Sequence, residues 1–123
     1  MENVIAQLFA ARDIAHRLHL KTRSFAAHLA LGDLYAALIE HADQIAEAWQ
    51  GKYGELNIPN PIFTFTETSA IEFIKELAQF TENSRATFNP EDTNLINDWD
   101  AVISTVYTAK YKLEQFQQFQ QFQ

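Results

Sequence analysis

Cysteine is absent from all 123 residues, which removes disulfides, thiolate metal sites and Cys nucleophiles together. Glycine and proline are scarce, three of each. A turn-rich β fold needs more of both, so the scarcity favours long helices. No stretch reaches the ~20 apolar residues that a membrane span requires, and no basic segment precedes an apolar run. Positive charge is also in deficit, with nine Lys and Arg against sixteen Asp and Glu and a formal charge of −7. Such a balance repels phosphate backbones and anionic lipid while attracting cations, so DNA and membranes are disfavoured as partners. The expectation is a cytoplasmic protein with one domain over residues 1–123. With 47% of its residues apolar, it has enough to bury a core.

The apolar residues are spaced for helices. Val4, Leu8, Ala11, Ala15 and Leu18 step by four and three, the spacing of one helical face, and predict a helix over about 2–19. Ser24 is placed to cap a second helix over about 24–50, whose stripe is Leu31, Tyr35, Leu38, Ala42, Ile45 and Trp49. Gly51 stands where a helix-terminating glycine is expected. Asn57, Pro59, Asn60 and Pro61 oppose helix in the following connection. Ile62, Phe63 and Phe65 are expected to pack that connection onto the rest. Ser69 and Glu72 match a capping box and open a third helix over about 69–88, with Ala70, Phe73, Ile74, Leu77 and Phe80 as its stripe. Asn89, followed by Pro90, Glu91 and Asp92, is expected to cap a fourth over about 90–118. Leu95, Trp99, Val102, Val106, Ala109, Leu113 and Phe116 carry its apolar face. The predicted fold class is all-α, an antiparallel four-helix bundle with one long connection between the second and third helices. Phe116, Phe119 and Phe122 alternate with pairs of Gln in the tail. That tail reads either as an extended helix with a Phe stripe for a partner or as a frayed low-complexity end.

Among ionisable residues, His16 and His28 flank the first turn, and Asp43 and Glu47 lie one helical turn apart on the second helix. Imidazoles with carboxylates suit iron, manganese or zinc. His28 and Asp43 are separated by fifteen positions of one helix, about 22 Å along the axis. One chain therefore cannot bring them to one ion. Two chains related by a two-fold axis can, with the His pair of each facing the acid pair of the other and two equivalent sites per dimer. His19, one turn from His16, is an accessory candidate. His41 is read as a surface or supporting residue, and Tyr35 and Trp49 as core. The Glu-x-x-His pair of self-contained di-iron bundles does not occur in the chain. No P-loop, dinucleotide-binding glycine turn or HExxH is present either.

The separations of His16, His28, Asp43 and Glu47 are twelve, fifteen and four residues. With the run from Ala37 to Ala48, ALIEHADQIAEA, they resemble the Dps miniferritins of the ferritin-like superfamily. The resemblance covers about residues 8–51 and is similar to short Dps-like proteins, bacteriophage-encoded ones included. It implies that His16, His28, Asp43 and Glu47 are the ligands and catalytic residues of a ferroxidase site shared between subunits. It implies iron as the metal, with zinc or manganese able to substitute. A homo-oligomer is implied as well, at least a dimer and up to a dodecameric cage, acting in iron storage or peroxide detoxification. Arg17 stands where that family has Trp, Ala48 where it favours Arg, and the first helix is short. These departures motivate the alternative of a non-catalytic dimeric helical module that keeps the scaffold.

Overall fold

In the computed structural model, which describes residues 1–62 and 64–117, the chain is all-α with four main helices. Phe63, Phe119 and Phe122, and with the last two most of the Phe/Gln tail, lie outside the described residues. The first helix, α1, spans Glu2–Lys21, and α2 spans Phe25–Tyr53. A 16-residue connection then leads to α3, Ala70–Ser84, which runs into a 3₁₀ turn at Arg85–Thr87. The last helix, α4, spans Thr93–Lys112 and continues as a π-helical turn over Leu113–Gln117.

Each helix contributes its stepped apolar stripe to one core. Ile5, Leu8, Leu31, Leu38, Ile45, Phe73, Leu77, Leu95, Trp99 and Val106 are fully buried there. Packing is cyclic: α2 lies against α1 and α4, and α3 lies against α4 and α1. Lys52 and Tyr53 at the end of α2 bond Asp92 at the start of α4. At the other end of that pair, Lys112 lies 3.9 Å from Asp33 near the start of α2. Arg17, late in α1, bridges Asp13 at 2.8 Å and Glu67 at 3.1 Å, tying α1 to the residues just before α3. Among the described residues no helix is long and apolar enough to cross a membrane.

Two caps form where the residues predicted them. Ser24 Oγ accepts from the Ala27 N–H at 3.1 Å, and Ser69 Oγ accepts from the Glu72 N–H at 3.2 Å. Other boundaries move. Gly51 is not the stop of α2; the helix runs on to Tyr53 and ends at Gly54, whose φ of 103° is a conformation that favours glycine. Asn89 does not cap α4. Its side-chain oxygen accepts from the Glu91 N–H and its carbonyl from the Asp92 N–H, both at 2.9 Å, which closes a turn around Pro90. The helix starts three residues later, with Asp92 at the N-cap. The third helix tightens at Arg85 rather than continuing to Phe88. In the long connection Leu56 and Phe65 are buried, whereas Ile62 is 71% exposed. Ile62 is held by its backbone, since its N–H donates to Gln7 Oε1 at 2.8 Å. Phe116, expected on the apolar face, is exposed and meets Tyr111 edge to face.

Candidate functional site

The turn between α1 and α2 gathers three of the four histidines. His19 sits in the last turn of α1 and His28 in the first turn of α2. Their rings stack with centroids 3.8 Å apart. Nδ1 of His19 lies 2.6 Å from the His28 carbonyl oxygen, and Nδ1 of His28 lies 2.8 Å from the His19 carbonyl oxygen. A carbonyl only accepts, so each Nδ1 carries the proton and donates. The pair is thus a reciprocal clasp between two helix ends. His28 also satisfies one of the carbonyls that the last turn of α1 leaves without a helical partner.

The clasp needs room on α2. A Cβ at Gly32 would stand 3.0 Å from His19 Cε1 and 3.1 Å from its Nδ1. Glycine at that position lets the imidazole lie against the helix.

His16, one turn before His19, stacks on Tyr35 with centroids 4.1 Å apart. The Arg12 guanidinium carbon lies 5.5 Å from the centroid of the same tyrosine. Arg12 Nε is buried without a hydrogen-bond partner among the described residues. Tyr35 is therefore half-buried beneath these rings and not a fully enclosed core residue. His16, His19, His28 and Tyr35 form one continuous aromatic array on the α1–α2 face.

Asp43 and Glu47 lie farther along α2, exposed, with no hydrogen bond or ion pair among the described residues. The structure brings His16 and His28 to the same end and leaves the two acids about 22–28 Å away along the helix. Within one chain, no group of three or more His, Cys, Asp or Glu among the described residues is placed to hold a metal.

Several connections escaped the sequence reading. His41 Nε2 lies 3.0 Å from Thr105 Oγ1 on α4. Burial pushes its pKa below the usual imidazole value, against smaller opposing effects of Glu40 and Asp98. Asp92 is 1% exposed, and Lys52 Nζ and Tyr53 OH both donate to its carboxylate, the latter at 2.5 Å. Those two donors hold the Asp92 carboxyl below its ordinary pKa, Lys52 contributing most. The same bonds raise Lys52 and Tyr53. A glycine inside a helical stripe signals close approach of another group, and Gly32 was available as that clue to the clasp. Nothing local pairs Lys52 with Asp92, forty residues apart.

A family of unknown function, DUF5856, matches residues 19–113. That span includes His19, Gly32 and three of the four candidate ligands and leaves out His16. No curated protein and no solved structure matches the chain.

Proposed function

We propose, from the premise that the chain belongs to DUF5856, that it is a cytoplasmic Dps-like ferroxidase whose sites lie between two copies. The arrangement proposed for each copy is an antiparallel, ferritin-like four-helix bundle. The contacts of Lys52 and Tyr53 with Asp92, and of Lys112 with Asp33, favour opposite directions for α2 and α4. His16 and His28 of one chain would face Asp43 and Glu47 of the other. Fe(II) is the substrate, oxidised by peroxide or dioxygen, and Zn(II) or Mn(II) can occupy the same donors. Two neutral imidazoles hold the ion without adding charge, and the carboxylates favour the higher charge of the ferric product. Asp43 and Glu47, exposed and unpaired among the described residues, are open to a partner chain. A dodecameric cage would add storage to oxidation.

The observation that carries the reading is the spacing of His16, His28, Asp43 and Glu47 along α1 and α2. Its test is the rate of ferric absorbance growth after Fe(II) and peroxide are added to the purified protein. The proposal expects acceleration over buffer and its loss in Asp43→Ala and Glu47→Ala. No acceleration by the parent protein would reject it.

The clasp itself favours a second reading, a non-catalytic dimeric helical module. There His19 and His28 serve to lock the helix turn, and Fe(II) or Zn(II) leaves the melting temperature unchanged. A metal that binds the folded state raises it by mass action, so a thermal titration separates the readings.

A further inference from the structure

From the geometry of the clasp we infer that His19 is a positioning residue for His28, fixing its proton on Nδ1 and leaving Nε2 as a lone-pair donor. The inference rests on the proposed function only in its consequence for metal binding; the placement of the proton does not depend on it.

A neutral imidazole has two tautomers, and only the nitrogen without the proton donates a lone pair to a metal. His28 Nδ1 is committed by its 2.8 Å bond to the His19 carbonyl. Nε2 of His28 has no hydrogen bond among the described residues. The ring plane is set too, because the His19 imidazole stacks on it at 3.8 Å and is itself held to the His28 carbonyl. Removing the His19 side chain leaves the His28 bond possible while removing the stacking ring and the return bond. The His28 ring is then held by that one bond alone and samples the other tautomer more often.

His19 is the member of the pair that lies against α2. Its ring edge is wedged against Gly32, where Cε1 and Nδ1 lie within 3.1 Å of the position a Cβ would take. Within the clasp His28 presents its Nε2, and the stacked His19 ring orients it. Gly32 belongs to the same device, since it supplies the clearance. Groups that orient a ligating imidazole typically change metal affinity 10–100-fold when they are lost.

The experiment uses the full chain with ¹⁵N-labelled histidine. Two-bond proton–nitrogen spectra distinguish the protonated from the unprotonated ring nitrogen, and Co(II) titration reads the donor. In the parent protein His28 should show one tautomer, with the proton on Nδ1. His19→Leu should show a mixture of tautomers and bind Co(II) at least about 10-fold more weakly. His19→Asn, whose amide nitrogen sits close to the position of Nδ1, should restore much of that affinity. Gly32→Ala, which alters neither imidazole, should reproduce the effect of His19→Leu. It also keeps the test decisive if the leucine variant does not fold. A parent His28 protonated on Nε2, or an unchanged His28 tautomer in both His19→Leu and Gly32→Ala, would overturn the inference. Absence of Co(II) binding by every form, the parent included, would overturn its consequence for metal and reject the two-chain site. The spectra would still decide the tautomer.

Discussion

Two glycines of one helix should respond in opposite directions to the same substitution. Gly32 and Gly51 both lie inside α2. Replacing glycine by alanine in a helix interior gains about 1 kcal/mol from propensity alone. At Gly51 a new Cβ meets nothing within 4 Å, so Gly51→Ala should keep that gain. At Gly32 the Cβ arrives 3.0 Å from the His19 ring. The ring must give by a few tenths of an ångström, which strains the bonds that His19 and His28 exchange. At the upper bound, loss of two hydrogen bonds at about 1 kcal/mol each, with about 0.5–1 kcal/mol from the ring contact, outweighs the propensity gain. The net is a loss of up to about 1.5–2 kcal/mol. For a chain of this size 1 kcal/mol shifts the melting temperature by about 4 °C. Gly51→Ala should melt about 4 °C above the parent, and Gly32→Ala below it, by up to about 6–8 °C. Thermal and urea unfolding followed by circular dichroism measures both. If Gly32→Ala melts at or above the parent, the clasp contributes less than this reasoning requires.

Other perturbations have definite directions. Trp99 is fully buried and its Nε1 donates to the Thr81 carbonyl at 2.8 Å, so Trp99→Ala should cost about 3–5 kcal/mol in urea unfolding. Asp43→Ala and Glu47→Ala should change stability by less than about 0.5 kcal/mol, because both side chains are exposed and unpaired among the described residues; a larger loss would mean that they are structural. His41 has a lowered folded-state pKa, so below its unfolded value of 6.5 the unfolded chain takes up the proton first. Its contribution to stability is therefore present above that pH and lost as pH falls, and the melting temperature of His41→Gln should fall less than the parent's between neutral and mildly acidic pH. The Asp92 pKa is lowered as well: its stabilisation is present above its unfolded value of 3.8 and is lost as pH falls below it. Asp92→Asn should lower the melting temperature at neutral pH and flatten the acid limb of the stability curve.

The helices were legible because their information is local. Ser24 and Ser69 cap through atoms three residues away, and each apolar stripe repeats within its own helix. The ends of α2 and α4 were less legible for a tertiary reason. Asp92 starts α4 while its carboxylate is occupied by Lys52 and Tyr53 of another helix, a contact that no neighbour in sequence announces. Gly51 and Gly54 are three residues apart, and only the backbone shows which one adopts positive φ. The candidate ligands were visible as types and spacings. The pairing of His28 with His19 was not, because it depends on how sharply residues 22–24 turn the chain and on the clearance at Gly32.

The central claim is that imidazoles of one chain meet carboxylates of another, and mixing two inactive variants tests it most directly. One carries His16→Ala and His28→Ala, the other Asp43→Ala and Glu47→Ala, and the two are co-expressed and assayed for Fe(II) oxidation. Random pairing makes about half the dimers mixed, each with one complete site of two, so about a quarter of the parent activity should return. If the mixture stays as inactive as either variant alone while mixed dimers are present by mass, the shared site does not exist.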